Sequence, residues 1–299
     1  MSIFTKDIFS GDHNINVSIV FIYREHNHME KKKLEGKVII VTGGTGVLGN
    51  AFNKALAESG AIVGILGRNR LVAEQRAAEI NDNGGTAIAL IADVLKENEL
   101  TAAAAEITDR YGKVDGLVNA AGGNLPEGVV QPGQDVFDLN MQGLRDVLDL
   151  NLFGTVLPTQ VFGKIISSTA DTGSIVNISS ITAHRGLTRV LGYSLGKCAI
   201  EGYTKWFAVE LGKRYGDRIR MNSIVPGFFL TEQNRTLLTN EDGTDTERGT
   251  LIKKNTPFGR YGQPSELAGA LVWLLGDESR FVSGTSVVVD GGFLAFSGV

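Results

Sequence analysis

Short apolar runs, many of them β-branched, alternate with segments of helical length from residue 37 to the end of the chain. The runs are almost continuously apolar, which is typical of strands buried on both faces. Parallel strands need a crossover between them, which a helix usually supplies. We therefore predict an α/β fold with a doubly wound, parallel, seven-stranded sheet and helices on both faces. The candidate strands are 38–41, 62–66, 87–91, 117–118, 175–178, 219–224 and 287–289.

The domain organisation follows from where this pattern begins and where it is lost. We predict one domain over residues 34–299, with a substrate loop at about 228–260, where the periodicity is lost. Residues 1–33 are expected to form a disordered or loosely docked extension. Their apolar stretch, 15–23, is too short to span a membrane and lacks the features of a signal peptide. An alternative is that Met29 is the natural start.

The composition narrows the classes of partner. With 42% hydrophobic and 21% charged residues and a net charge of −4, the chain is typical of a globular protein and offers no electrostatic footprint for nucleic acid. Its single cysteine, Cys198, permits no internal disulfide, and no cluster has metal-ligand spacing. We therefore expect a cytoplasmic protein with a small-molecule substrate, without a metal, a membrane or a nucleic acid as partner.

A glycine-rich turn follows the first candidate strand and precedes a helical segment. Gly44, Gly46 and Gly49 have the spacing of a dinucleotide-binding turn. Glycine lets the backbone approach a pyrophosphate, and the following helix N-terminus offers free N–H groups and partial positive charge. This strand, turn and helix predict a Rossmann domain that binds NAD or NADP.

The end of the second strand bears on the choice of cofactor. An acid there would bind the ribose 2′-hydroxyl of NAD, but the chain has Gly67 followed by Arg68. A guanidinium can pair with a 2′-phosphate, which favours NADP without excluding NAD. Asp93, at the end of the third strand, is placed to meet the adenine.

Tyr193 and Lys197 form the strongest catalytic signal, together with Ser180 at the end of a strand. The tyrosine and the lysine are spaced i, i+4, which puts them on one helix face. A phenol titrates near pH 10, and a nearby ammonium lowers its pKa by favouring the phenolate. The sequence thus predicts Tyr193 as acid/base, Lys197 as its activator and Ser180 as the group that holds the substrate oxygen.

These residues resemble the short-chain dehydrogenase/reductases with the Tyr-x-x-x-Lys signature, over nearly all of 34–299. The family's Asn-Asn-Ala-Gly is similar to the Asn-Ala-Ala-Gly at 119–122, and its catalytic asparagine matches Asn151. The resemblance implies a water relay from Asn151 to Lys197. One departure is Val47, which stands where the usual pattern of this subgroup has glycine. The implied cofactor site comprises Gly43, Thr45, Gly46, Val47, Leu48, Gly49, Arg68, Asn69, Asp93, Val94, Asn119, Ala120, Ala121, Gly122, Tyr193, Lys197, Pro226, Gly227, Phe229 and Thr231.

A narrower resemblance, carried by 42–49, 226–235 and 289–299, is to the bacterial D-mannonate oxidoreductases of the short-chain type. It implies reversible reduction of D-fructuronate to D-mannonate. In addition to Ser180, two residues are candidates for binding the substrate. His184 is a candidate for contacts with substrate hydroxyls, and Arg235 is a candidate for binding a carboxylate with two parallel hydrogen bonds.

Three alternatives remain at this stage. The enzyme could reduce another ketose or a ketogluconate, or it could be a 3-oxoacyl thioester reductase with the same catalytic residues. A protein of a different class, a nucleotide sensor without catalysis, would bind cofactor and show no turnover.

The glycine-rich, apolar end at 283–299 resembles segments that pack between subunits in the family, which predicts a homotetramer.

Overall fold

The structure, a computed structural model, describes residues 3–7, 18–22, 32–231 and 235–299. The chain divides into two compact units, Met1–Lys32 and Lys33–Val299. In the first unit, strands β1 (Ile3–Asp7) and β2 (Ser18–Ile22) pair antiparallel, with Thr5 opposite Val20. The other predictions for this extension, including a start at Met29, lie outside the described residues.

The second unit contains a parallel sheet of seven strands in the order β5-β4-β3-β6-β7-β8-β9. Every candidate strand is present, so the predicted doubly wound sheet is confirmed. Strands β3, β6, β7 and β8 are fully buried, which explains why their sequences are apolar without alternation. The strands are β3 (Val38–Thr42), β4 (Ile62–Gly67), β5 (Thr86–Ile91), β6 (Gly116–Asn119), β7 (Gly173–Ile178), β8 (Ile219–Pro226) and β9 (Ser286–Val289).

Helices cover both faces of this sheet. They are α1 (Val47–Glu58), α2 (Arg70–Asp82), α3 (Glu97–Tyr111), α4 (Met141–Leu148), α5 (Gly154–Thr169), α6 (Leu191–Tyr215), α7 (Arg235–Leu238), α8 (Glu247–Asn255) and α9 (Ala268–Leu275). Residues of α1, α2 and α9 form one apolar core, around Phe52 and Leu271. Residues of α3, α5 and α6 form a second core on the other face, around Ile107 and Phe162.

The strand order reverses between β3 and β6, because β4 and β5 add to one side of β3 and the later strands add to the other. Ligands of doubly wound folds bind in the crevice outside the carboxyl ends of the strands at this point.

The predicted substrate loop, 228–260, contains the short helices α7 and α8. In the part of the chain that the structure describes, no helix is long and apolar enough to cross a membrane. The cytoplasmic location stays a prediction.

Candidate active site

The glycine turn between β3 and α1 has a geometry that requires its glycines. Gly43 has a φ of +64°, and a Cβ there would lie 2.8 Å from the backbone of Ala120. A Cβ on Gly49 would overlap the carbonyl of Gly43. Gly46 begins the helix in an extended conformation, with no side chain capping it. Backbone and helix N-terminus are therefore open to a pyrophosphate, and Val47 is tolerated because it is only the first residue of α1.

Arg76 of α2, which the sequence analysis missed, forms hydrogen bonds to the backbone of the glycine turn. Its Nη1 donates to the carbonyl oxygens of Gly44 at 2.6 Å and Gly46 at 2.8 Å. Burial lowers the pKa of this guanidinium. The interaction spans about thirty positions and depends on how α2 packs on α1, so no sequence signal marks it.

The ends of β4 and β5 hold the residues expected at the adenosine. A Cβ on Gly67 would lie 2.6 Å from Thr45 Oγ1, so an acid at this position would displace Thr45. The Arg68 side chain is 77% exposed, with Nη1 3.9 Å from Asp93 Oδ2. Asn69 caps α2 by accepting from the N–H of Val72. The guanidinium of Arg68 is thus accessible to a ligand.

The segment after β6 is tied to the rest of the sheet. The amide Nδ2 of buried Asn119 donates to Thr159 Oγ1 and Asn177 Oδ1, both at 2.9 Å. Thr42 Oγ1 accepts from the N–H groups of Ala120 and Ala121, at 3.1 and 3.2 Å. These bonds hold the segment against the glycine turn. Val94, which follows β5, is buried in the second core.

Asn151 lies in a π-helical turn, Asp149–Phe153, between α4 and α5. The side chain is completely buried, and its Nδ2 donates to Val147 O at 2.8 Å and Gly123 O at 2.7 Å. Its Oδ1 accepts from Gly123 N at 3.1 Å. A Cβ built on Gly122 would contact both Asn151 Oδ1 and Lys197 Nζ, so the asparagine and the lysine both lie close to this glycine.

Ser180, Tyr193 and Lys197 come together as predicted from their spacing. Lys197 is 4% exposed, its Nζ lies 5.3 Å from the Tyr193 ring centroid, and it donates to Ile178 O at 2.7 Å. Burial lowers the pKa of Lys197 to about 8, and the charge of Glu201 opposes this shift.

The expected lowering of the tyrosine pKa by Lys197 is not what the structure shows. Burial raises the pKa of Tyr193, and a hydrogen bond with Ser180 opposes that shift only in part. Removal of the phenol from water is the largest effect on the pKa of Tyr193. A phenol with a raised pKa is protonated at neutral pH, which is the form that donates a proton.

Glu201, one turn after Lys197 on α6, is a buried acid that the sequence analysis missed. It accepts hydrogen bonds from Ser223 Oγ at 2.9 Å and from Ser286 Oγ. His184 Nε2 lies 4.0 Å from Glu201 Oε2. The spacing from Lys197 was visible in the sequence, but the serines come from two distant strands.

A cavity of about 620 Å³ opens at the carboxyl ends of β6, β7 and β8. Among the predicted residues, its lining includes Leu48, Ala120, Gly122, Ser180, Tyr193, Lys197, Pro226, Gly227, Phe229 and Thr231. Neither His184 nor Arg235 lines it, and Arg235 is exposed at the start of α7. Two arginines that were not predicted, Arg189 and Arg248, do line it.

Three lining side chains hold a buried oxygen that has no hydrogen-bond partner among the described residues: Asn124 Oδ1, Ser179 Oγ and Thr182 Oγ1. Buried polar atoms are nearly always paired in folded proteins, so unpaired ones beside a cavity indicate a polar ligand. Together with the open glycine turn, they fit a nicotinamide dinucleotide. No group of three or more acids, histidines or cysteines that could hold a metal occurs in 32–231 or 235–299.

Comparisons with known proteins agree with this geometry. A short-chain dehydrogenase family model, described as enoyl-(acyl carrier protein) reductase, matches residues 45–294. The uncharacterized oxidoreductase UxuB of Bacillus subtilis is 42% identical over 277 residues, which cover 90% of this chain and 98% of the relative.

Two solved structures share the fold. One, provisionally named a D-mannonate oxidoreductase from Haemophilus influenza with bound NAD, is 40% identical, has a TM-score of 0.83 and covers 89% of this chain and 98% of its own. The other, gluconate 5-dehydrogenase from Burkholderia cenocepacia in complex with NADP and tartrate, is 30% identical, has a TM-score of 0.77 and covers 89% of this chain and 98% of its own.

Fold and site together define a Rossmann-fold oxidoreductase that depends on NAD or NADP. The chain belongs to the short-chain dehydrogenase/reductase family.

Proposed function

We propose that the protein interconverts a sugar-acid ketone and its alcohol, D-fructuronate and D-mannonate. The observation that carries this proposal is that Ser180, Tyr193 and Lys197 line the same cavity, beside the glycine turn. A volume of about 620 Å³ is within the range of small-molecule sites. The likeness to a provisionally named D-mannonate oxidoreductase supports the choice of substrate.

In the reduction direction, Ser180 Oγ donates a hydrogen bond to the carbonyl oxygen and orients it toward Tyr193. Tyr193 donates its proton to that oxygen as the alcohol forms, and solvent later returns a proton to the phenolate. The Lys197 ammonium stabilises this phenolate by its charge. Asn151 holds the 122–123 backbone beside Lys197. When bound, the nicotinamide cofactor supplies the hydride-transfer chemistry.

For the cofactor we propose binding along the glycine turn, with the pyrophosphate at the N-terminus of α1 and the nicotinamide near Thr231. The exposed Arg68 guanidinium next to Gly67 supports a preference for NADP, because it can pair with a 2′-phosphate. The solved relative with bound NAD supports the other choice. Turnover with the two cofactors decides between them.

A second candidate substrate class is a ketogluconate, which the likeness to a gluconate 5-dehydrogenase favours. Its reduction would use the same Ser180, Tyr193 and Lys197. The 3-oxoacyl thioester reductase and the sensor without catalysis stay alternatives that activity measurements separate.

The decisive experiment follows absorbance at the reduced-nicotinamide band after D-fructuronate is added with NADH and then with NADPH. We expect rapid oxidation of one cofactor by the wild-type protein and almost none by Tyr193→Phe. Faster turnover of 5-ketogluconate or of acetoacetyl thioesters than of D-fructuronate would replace the proposed substrate. Cofactor binding without turnover of any carbonyl would favour the sensor.

We also propose that the protein is a homotetramer. Large apolar side chains that are exposed on the isolated chain, among them Phe281, Trp206 and Phe153, support association. Sedimentation equilibrium tests it, since a stable monomer at micromolar concentration would contradict the proposal.

A further inference from the structure

The lining of the active-site cavity carries positive charge and, among the described residues, no acid. Lys197, Arg189 and Arg248 all contribute to it, and none of the described lining residues is Asp or Glu. The whole chain has a net charge of −4, so the cavity differs in sign from the protein around it. Such a cavity attracts an anionic ligand.

Arg189 is held in an unusual backbone conformation just before α6. Its φ of 76° makes it the one residue other than glycine with a positive φ in 32–231 and 235–299. An arginine has no local reason to adopt this conformation, and such strain persists where surrounding contacts hold it, often at ligand sites.

Two hydrogen bonds to Val130 hold Arg189 in place. Its carbonyl accepts from Val130 N at 3.0 Å, and its Nε donates to Val130 O at 2.9 Å. Because Nε is used in this way, the side chain is fixed while its two terminal nitrogens remain available to donate. The segment that anchors it also lines the cavity, through Val129 and Gln131.

Arg248, in the first turn of α8, lines the same cavity as Arg189. Its Nη1 donates to Thr188 Oγ1 at 3.1 Å, next to Arg189 in the chain. Burial lowers the pKa of Arg248, and the charge of Arg189 lowers it further. Neither arginine forms an ion pair with an acid in the described part of the chain.

Two guanidiniums that repel each other, without an acid between them, are stabilised by a bound anion. A carboxylate suits them because each guanidinium presents paired N–H donors that match its two oxygens. Arg189 lies just before α6, four residues ahead of Tyr193 in the chain. A keto acid that places its ketone oxygen at Ser180 and Tyr193 would therefore extend its carboxylate toward the two arginines.

We propose that Arg189 and Arg248 form the site that binds the substrate carboxylate and thereby select acids over neutral sugars. This inference rests on the proposed sugar-acid activity and gives the carboxylate-binding role to these residues instead of Arg235. Arg235 is exposed and lies outside the lining of the cavity.

The first test measures binding without turnover. In a Tyr193→Phe background saturated with NAD or NADP, calorimetry with D-mannonate compares the parent with added Arg189→Gln or Arg248→Gln. We expect each change to weaken D-mannonate binding about tenfold or more and to leave cofactor affinity unchanged. Arg235→Gln is the matched control and should bind D-mannonate like the parent.

The second test uses kinetics of the otherwise wild-type enzyme. Arg189→Gln and Arg248→Gln should raise the KM for D-fructuronate more than they lower kcat, and Arg189→Lys should restore only part of the loss, since it keeps charge without the planar fork. Activity with the neutral ketose D-fructose should change less than twofold. Unchanged cofactor affinity shows that the variants fold.

The outcomes separate this inference from the proposed function. Turnover of D-fructuronate with an unchanged KM in both variants would overturn the arginine site and keep the function. Arginine-dependent binding of D-mannonate, in a protein that turns over D-gluconate or another hydroxy acid instead, would support the arginine site and reject the proposed substrate. Loss of binding in Arg235→Gln alone would return the role to Arg235.

Discussion

Lys197 and Glu201 lie one turn apart on α6, where burial lowers the pKa of Lys197 to about 8 and the Glu201 carboxylate opposes this shift. Glu201 is held in turn by Ser223 of β8 and Ser286 of β9. The carboxylate that opposes the fall in the Lys197 pKa is therefore positioned by β8 and by the edge strand β9.

Glu201→Gln should shift the pH dependence of reduction. Activity that requires the Lys197 ammonium is present below pH 8 and is lost as the pH rises through the lysine pKa. Without the Glu201 charge this pKa falls further, so the alkaline limb of kcat/KM should move to lower pH. Glu106→Gln, on the exposed face of α3, is the control. An alkaline limb at the same pH in both variants would show that Glu201 does not act on Lys197.

Tyr193→Phe should lower kcat by a factor of about 10² to 10⁴ or more, since it removes the proton donor. The dissociation constants of NADH and NADPH, measured by fluorescence titration, should change little because the ring remains. A variant that keeps most of its turnover would contradict the assignment of Tyr193 as the acid.

Gly49→Ala should disrupt the glycine turn, because the added Cβ would overlap the carbonyl of Gly43. We expect at least a tenfold loss of cofactor affinity and a lower melting temperature. Gly212→Ala in α6 is the matched control, since its Cβ would meet nothing within 4 Å. That change should leave cofactor binding intact and stabilise the helix by roughly 0.5–1 kcal/mol. Equal behaviour of the two variants would show that the turn tolerates a side chain.

Arg68→Ala should raise the KM for NADPH about tenfold and leave the KM for NADH nearly unchanged. The physical reason is loss of a guanidinium that is accessible to a 2′-phosphate. Steady-state kinetics with both cofactors at saturating D-fructuronate measures the effect. Equal changes in the KM for NADH and the KM for NADPH would indicate that Arg68 does not contact the 2′-phosphate of the ribose.

Local patterns in the chain predicted much of the fold and part of the site. Strand β3, the glycine turn and α1 are contiguous, and their apolar run, glycines and helical segment are visible in order. Tyr193 and Lys197 share a helix face at i, i+4, and Ser180 follows the strand that precedes that helix. Their meeting follows from periodicity and from the rule that strand ends line the crevice.

Other parts of the site join residues that are far apart in the chain. Arg76 donates hydrogen bonds to a turn about thirty residues earlier, and Glu201 accepts hydrogen bonds from serines of two later strands. The lowered pKa of Lys197 and the raised pKa of Tyr193 result from burial, which depends on everything packed around them.

By itself, the sequence determined the seven strands of the parallel sheet, the dinucleotide turn and the Tyr-x-x-x-Lys pair, because these depend on neighbours within a few residues. The tertiary structure alone directed His184 toward Glu201 and left Arg235 exposed, while bringing Arg189 and Arg248 to the cavity. The direction of a long side chain and the approach of two loops are set by packing among distant elements, which no local pattern encodes.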